Sequence, residues 1–432
     1  MKIVLALLPF YNLLEMPTYF ELGPAYIASF LNQAGATVSI INCASMKLKP
    51  ETLMQTLSRP VSRLRFLLST TAQKVSLFEE VMSNPRHPLW ETITGEIAKE
   101  KPDAIGLTLF TDRMTGAKII CKHIKANLGN IPIILGGMHP SSLPIETLNE
   151  IPEADYIVVG EGEETTKELI QYLDNPTPQG LQLIKGIAYR DDLKGPIINE
   201  RRELIHDLDS LPFPKRGKGA EYMIITGRSC PYYCKFCASH VLWTRHVRYR
   251  SIDNVIEEIN ELKTHFGAKR IRIVDDTFTL SKKRVIEFSR KIREAKLNDI
   301  DYSIGSRVDT IDGEKIAALQ ACGVKEITFG IESGSPRILQ RIAKGITPEQ
   351  VKQVIALSNS RNLTTYTYYM IGHPGETKQD IDQSKQLLRQ SKPTYAAINM
   401  VTIYPTTGYD DMAASRNCSS LPWMSTTRDS TN

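Results

Sequence analysis

Three cysteines crowd one short stretch, Cys230-Pro-Tyr-Tyr-Cys234-Lys-Phe-Cys237, while Cys43, Cys121, Cys322 and Cys418 stand apart. Thiolates are soft ligands, and three on one loop can all turn toward one metal centre. An iron–sulfur cluster held in this way has three of its usual four protein ligands, which leaves one iron open. Zinc is the alternative, because His240 lies three residues beyond Cys237 and three cysteines with a histidine form a common tetrahedral set. Zinc sites more often pair two separated knuckles, so ligands packed into residues 230–240 favour the cluster. Seven cysteines in all is an odd and sparse number, which points to a reducing, cytoplasmic setting.

The elements that must hold such a loop are legible in the pattern of apolar runs. A chain of 432 residues predicts two or three domains, and 41% hydrophobic with 23% charged residues is ordinary globular usage. The net charge of +5 is too small to argue for a nucleic-acid partner. No run reaches the roughly 18 apolar residues of a transmembrane helix. Lys2 and the run Ile3–Leu8 imitate a short signal peptide but lack a small-residue cleavage site, so a buried first strand is expected. Strands are predicted at Ile3–Leu8, Val38–Asn42, Ala104–Leu109, Ile131–Leu135 and Tyr156–Val159, with helices at Pro24–Ala34, Thr115–Leu128 and Glu163–Leu173. Further helix is expected between Glu51 and Lys101. This is the signature of a doubly wound, Rossmann-like parallel sheet over residues 1–178.

A hairpin and linker are expected over 179–217, which contains Pro212 and Pro214. Strands then recur at Tyr222–Thr226, Arg270–Val274, Tyr302–Ser306, Glu326–Ile331, Thr364–Ile371 and Tyr395–Ile403, with helical patterns between them. Six strand–helix units over 218–405 predict a partial (β/α)6 TIM barrel, with its reactive groups at the carboxyl ends of the strands. The cysteine loop follows the first of these strands. The polar stretch 406–432 is expected to be a mobile tail.

At this point the chain resembles the radical S-adenosylmethionine enzymes, whose signature is a CxxxCxxC loop after the first strand of a partial barrel. Phe236, just before the last cysteine, fits that pattern too. The resemblance implies a 4Fe-4S cluster on Cys230, Cys234 and Cys237, whose open iron chelates S-adenosylmethionine for cleavage to a 5′-deoxyadenosyl radical. It also draws attention to the other strand ends, which carry Asp275-Asp276, Ser306-Arg307, Gly330-Ile331-Glu332-Ser333-Gly334 and Gly372-His373-Pro374-Gly375. A cation there suits the cofactor's carboxylate, and acids suit its ammonium or ribose hydroxyls. Phe236, Asp275, Arg307, Glu332 and Gly372 are the implied S-adenosylmethionine contacts. For Asp275 and Asp276 the competing role is capping of a helix near Ser281.

The loops after the first domain's strands are rich in glycine: Leu135-Gly136-Gly137-Met138-His139-Pro140, Val159-Gly160-Glu161-Gly162-Glu163, and Gly23 at the first helix. Together with the linker Asp207-Leu208-Asp209-Ser210-Leu211-Pro212-Phe213-Pro214, they make residues 1–405 similar to the cobalamin-binding branch of that family. Gly23, Gly136, Gly137, His139, Gly160, Glu161 and Gly162 are then the implied cobalamin contacts. No histidine sits in an Asp-x-His-x-x-Gly motif, so a cobalt without a histidine from that motif is implied, with His139 beside the ring or simply hydrogen-bonded at a helix entry. The resemblance implies methyl transfer to an unactivated carbon of a small-molecule or lipid-like substrate. It also implies electrons from a flavodoxin or ferredoxin, and it assigns no catalytic side chain. Two alternatives stand beside it: ring closure or rearrangement as in porphyrin cyclase-like members, and a non-catalytic cobalamin- or zinc-binding module. Where the family commonly has Tyr-Pro-Gly-Thr and covering helices, this chain has Tyr404-Pro405-Thr406-Thr407-Gly408, so a truncated form or a partner completing the cover is expected.

Two more stretches carry weaker signals. Arg245, His246, Arg248 and Arg250 read as a solvated helix edge rather than an anion site. In Thr365-Tyr366-Thr367-Tyr368-Tyr369 the alternation points one set of side chains into the barrel, with core packing the expected role for the tyrosines.

Overall fold

The computed structural model describes residues 1–8, 22–43, 82–178, 180–191 and 193–410. The chain divides into two compact units, Met1–Ala220 and Glu221–Asn432. The helix expected within residues 51–81 and the tail residues 411–432 lie outside the described residues. Among the described residues, no helix is long and apolar enough to cross a membrane.

In the first unit, parallel strands β1 (Lys2–Leu7), β2 (Thr37–Asn42), β3 (Ala104–Thr108), β4 (Ile133–Gly136) and β5 (Tyr156–Val158) stand in the order β2-β1-β3-β4-β5. The order reverses between β1 and β3, the place where open α/β sheets bind ligands. Side-chain alternation decides that both faces are covered. Val4, Ala6, Ile133 and Leu135 join one buried cluster, whereas Ile3 and Leu5 join another and Ile134 a third. The helices supplying the cover include α1 (Leu22–Gln33), α2 (Pro88–Lys99), α3 (Met114–Leu128), α4 (Met138–Ser142) and α5 (Glu163–Asp174).

The expected hairpin exists, as β6 (Ile187–Asp191) and β7 (Gly195–Ile198), but it is not a separate piece. β6 pairs antiparallel with β5, Tyr156 opposite Tyr189, so the hairpin extends the first sheet to seven strands. Tyr189 and Ile187 are buried in that sheet's core, which turn-residue content could not reveal.

The second unit is a six-stranded all-parallel sheet in strict chain order. Its strands are β8 (Tyr222–Ile224), β11 (Arg270–Ile273), β12 (Asp301–Ser306), β13 (Val324–Glu332), β14 (Thr364–Ile371) and β15 (Tyr395–Met400). Between β8 and β11, a short antiparallel ribbon of β9 (Gly227–Arg228) and β10 (Arg248–Tyr249) closes the cysteine loop at its base. Chain-order parallel pairing requires a crossover helix at each step, and the sequence supplies strong ends for these. Helix α6 (Ile252–Phe266) starts at Ser251, whose side chain accepts from Asn254 N, and stops at left-handed Gly267. Helices α7 (Pro348–Ser360) and α8 (Lys378–Ser391) open with reciprocal capping boxes, Thr347 with Gln350 and Thr377 with Asp380. The core between strands and helices includes Ile224, Ile271, Ile304, Ile327, Phe329, Phe288 and Leu387.

The stretch 245–250 differs from the solvated edge expected. Arg248 and Arg250 are buried, and Arg250 pairs with buried Glu258 at 2.5 Å and donates to the Ile225 carbonyl at 2.8 Å. The charges serve the root of the cysteine loop. Within the stretch expected to be mobile, Thr407 and Tyr409 are buried, and Tyr409 belongs to the barrel core.

Gly334, after β13, presses the chain onto α8: a Cβ there would lie 2.6 Å from both Gln383 O and Ser384 Cα. Its N–H donates to Ser384 Oγ at 2.8 Å. Gly334→Ala is expected to cost about 1–3 kcal/mol by overpacking, read as a lower urea midpoint at unchanged slope.

Candidate active site

The cysteine loop is held from three sides. Ser229, at φ +86°, turns the chain out of β9, and its hydroxyl donates to Thr244 O at 2.9 Å. Cys237 N donates to Cys234 O at 3.1 Å, folding the loop into a turn, and Lys235 N donates to Ile342 O at 3.0 Å. At the end of β11, Asp275 accepts from Thr226 N at 2.6 Å, Thr226 Oγ1 at 2.5 Å and Gly227 N at 3.2 Å. The helix-capping role falls instead to Ser281 itself, which accepts from Arg284 N. Asp275 thus braces the loop's root with its oxygens already engaged.

Cys234 is buried and Cys230 and Cys237 half-buried, and burial pushes the last two thiols up from their ordinary value. Cys230 Sγ lies 3.8 Å from Thr277 Oγ1, and Cys234 Sγ lies 3.6 Å from Arg307 Nη1. Asp276 stands beside them; burial first, then the neighbouring Asp275 charge, pushes its carboxyl up to about 6. His240 turns Nδ1 back to Cys237 O at 3.1 Å. Among the described residues, no three His, Cys, Asp or Glu side chains converge on one ion's position. A cube presents a different iron to each thiolate, so its ligands stand further apart than those on one zinc ion, and three soft donors on one half-sheltered loop fit it.

Opposite the loop lies a set of buried charges. Glu332 ends β13 at φ +70°, where the register against β14 shifts between Gly330 and Glu332. A left-handed conformation at a non-glycine residue costs on the order of 1–3 kcal/mol and marks a functional position more often than a packing one. Its carboxylate meets Lys344 Nζ at 2.9 Å, both side chains under a tenth exposed. Lys344 also stands 5.8 Å from the Phe236 ring, and Phe236 packs at 6.5 Å from Tyr409. Tyr409 Oη is 2.6 Å from His373 Nδ1. Gly372, at φ +93°, donates its N–H to Glu376 Oε2 at 2.6 Å and shapes the turn after β14. Along β14, Thr365, Thr367 and Tyr369 are buried, whereas Tyr366 and Tyr368 are partly open and Tyr366 stacks on Tyr395 at 4.8 Å. Core packing therefore describes Tyr369 and not its two neighbours.

Sequence reasoning missed Lys344, Asp309, Tyr232 and Tyr409, and it named His373 only as part of the stretch after β14. The signal for Lys344 was its place twelve residues past Glu332 in a lysine-glycine turn; Tyr409 offered only an aromatic inside a polar stretch.

In the first unit, Gly136, Gly137, His139 and Gly160 gather at the carboxyl ends of β3, β4 and β5. Gly137, at φ +102°, sits where a Cβ would be 2.9 Å from Leu109 O, and Gly160 N donates to Ser141 Oγ at 2.9 Å. Among the described residues nothing lies within 4 Å of a Cβ at Gly23, and at Gly136 the nearest atoms are 3.9 Å away. Such bare backbone at the switch point fits a large planar cofactor. Exposed Phe110 ends the loop after β3, with the Arg113 guanidinium 5.1 Å from its ring. His139 is buried at the entry of α4, its Nδ1 3.1 Å from Thr111 Oγ1, and burial lowers its pKa. Glu161 accepts from Ile205 N at 2.8 Å through Oε2, and Gly162 gives room to Ile27, 3.1 Å from its Cβ position.

Two measurements probe these charges. Lys344→Met leaves Glu332 buried without its cation and is expected to cost about 3–5 kcal/mol in denaturation, with part recovered by adding Glu332→Gln. Asp380, which accepts from Ser335 Oγ at 2.6 Å and pairs with Arg337, holds the loop after Glu332. The Arg337 cation, and then the Ser335 and Thr377 hydroxyls, keep its carboxyl well below the usual range against the opposing effect of burial. A depressed folded pKa gives stability that is fully present above the unfolded value near about 3.9 and is lost progressively as pH falls from there through the lower folded value. Denaturation between pH 5 and pH 3 should show the onset of that loss in the wild type and less of it in Asp380→Asn.

With this geometry in place, known proteins supply the comparison. The Radical SAM superfamily model matches residues 224–388, and the B12 binding domain model matches residues 74–170. An uncharacterized methyltransferase of Pyrococcus horikoshii is 34% identical over 332 residues, covering 74% of this chain and 71% of that one. An anaerobic magnesium-protoporphyrin IX monomethyl ester cyclase of Rubrivivax gelatinosus is 26% identical, covering 76% of this chain and 61% of its own length. The fold matches the radical S-adenosylmethionine methyltransferase TsrM from Kitasatospora setae, solved with cobalamin and a [4Fe-4S] cluster. That match has a TM-score of 0.73 at 17% identity, over 97% of this chain and 75% of that one. The chain belongs to the cobalamin-binding radical S-adenosylmethionine enzymes, whose cofactors are a 4Fe-4S cluster, S-adenosylmethionine and cobalamin.

Proposed function

We propose that this enzyme transfers a methyl group to an unactivated carbon of a small-molecule or lipid-like substrate in the cytoplasm, with electrons from a flavodoxin- or ferredoxin-type donor. One observation carries the reading: a CxxxCxxC loop follows the first strand of a parallel barrel, with Cys230 beside Thr277 and Cys234 beside Arg307 at the ends of the neighbouring strands, in a chain that also carries a B12-binding sheet. When bound, the cluster supplies the electron that cleaves S-adenosylmethionine, and cobalamin supplies a transferable methyl group.

The chain's own residues place and shelter these groups. Cys230, Cys234 and Cys237 hold the cluster, and Asp275 keeps their loop rooted on β8 and β11. Glu332, fixed by Lys344, offers a carboxylate to the ammonium or hydroxyls of S-adenosylmethionine. Phe236 walls the site, and Gly372 lets backbone approach closely. In the first unit Gly23, Gly136, Gly137 and Gly160 make room for the corrin, and His139 stands as a hydrogen-bonded support rather than a cobalt ligand. Partly open Tyr366 and Tyr368 face the substrate side of β14. The similarity to the porphyrin-ester cyclase favours ring closure as the second reading.

Anaerobic reconstitution with iron, sulfide and cobalamin should give about four irons and one cobalamin per chain. Cys234→Ala should lose the cluster's visible absorbance and at least tenfold of 5′-deoxyadenosine release; release at the native rate would remove the cluster assignment. Methyl-labelled S-adenosylmethionine separates the two readings. Label in the product supports methyl transfer, and an unlabelled product supports the cyclase.

A further inference from the structure

Arg307 follows β12, where the sequence suggests a clamp for the carboxylate of S-adenosylmethionine. The structure commits it elsewhere. Nε donates to Asp309 Oδ1 and Nη2 to Asp309 Oδ2, both at 2.9 Å, so the bidentate edge that grips carboxylates is already filled from within the chain. Nη2 donates also to the Lys344 carbonyl, and the Tyr232 ring lies 3.6 Å from the guanidinium carbon. Of the five N–H donors, those directed outward belong to Nη1, and Nη1 is 3.6 Å from Cys234 Sγ in a buried contact.

We propose that Arg307 is a positioning residue that tunes the cluster: Nη1 donates a hydrogen bond to the ligating sulfur of Cys234 and raises the cluster's reduction potential. This rests on the reading above that Cys234 is a cluster ligand. One electron, delivered by the donor protein or by dithionite, adds negative charge that spreads onto the thiolate sulfurs. A fixed cation at hydrogen-bond distance stabilises the reduced level more than the oxidised one. The Asp309 carboxylate meets the other edge of the guanidinium, so it aims the cation without standing between it and sulfur. Tyr232 lies between Cys230 and Cys234 in the same loop, so the signature loop itself supplies the plate on which the tuning residue rests.

The test is an EPR-monitored redox titration of the anaerobically reconstituted full chain, without S-adenosylmethionine, using dithionite. Iron and sulfide are counted first. A wild-type chain that binds no cluster overturns the cluster reading and this inference with it. With a cluster bound, Arg307→Gln should retain about four irons and show a roughly tenfold higher oxidised-to-reduced ratio at a fixed potential, a midpoint about 59 mV lower for one electron. Arg307→Lys, which keeps a cation, should shift less. An unchanged midpoint in a fully loaded Arg307→Gln, or a change confined to S-adenosylmethionine affinity, overturns the inference and leaves the cluster reading standing. If Arg307→Gln fails to hold iron, Tyr232→Leu decides: it removes the ring under the guanidinium without changing any charge, and is expected to raise the oxidised-to-reduced ratio at a fixed potential about threefold; an unchanged or lower ratio overturns the inference.

Discussion

The second unit depends on matching charges that the barrel's end removes from water. Ionised groups in a low-dielectric place are stable only when each has a partner at hydrogen-bond distance. Around the cysteine loop that condition is met pair by pair: Glu332 with Lys344, Arg307 with Asp309, Arg250 with Glu258, and Asp275 with the Thr226 amide and hydroxyl and the Gly227 amide just after β8. Replacing such pairs by apolar side chains would often cost little stability. Their presence at strand ends, rather than in the middle of the core, accords with a site that binds charged cofactors.

The first unit solves a different problem, admitting a large flat ligand to a sheet edge. Here the devices are absences of side chains. Gly136 at the end of β4 and Gly23 at the start of α1 leave backbone uncovered among the described residues, while Ser141 and Thr111 satisfy the nearby polar groups. A buried, neutral-leaning His139 bonded to threonine suits a wall.

Much of this was legible in the sequence because it rests on local rules. Strand alternation located all eleven parallel strands within a few residues, and ligand spacing located the thiols. What escaped depends on tertiary proximity. Arg248 and Arg250 look like any solvated basic run until β10 pairs with β9 and carries them inward. Glu161 sits in a glycine loop, and the partner of its Oε2 is the amide of Ile205, 44 residues away, which no local pattern announces. The hairpin reads as a linker ornament because antiparallel pairing to β5 leaves no mark on composition. Tyr409 lies in a stretch whose polar content masks one buried ring.

The backbone at Glu332 links the buried charge pairs to the cysteine loop. A strand that simply ended would leave its last residue extended; this one turns to φ +70° after a register shift, with Gly330 bare where a Cβ would strike Glu332 Oε1 at 2.5 Å. The glycine is therefore required by the carboxylate's position, and the carboxylate's position is required by Lys344. Lys344 in turn accepts Arg307 on its carbonyl, so the chain from Gly330 to the Cys234 sulfur is a single run of contacts. Strain at one strand end is thus offset by the same network that aims a cation at the thiol loop, and neither could be placed without the other.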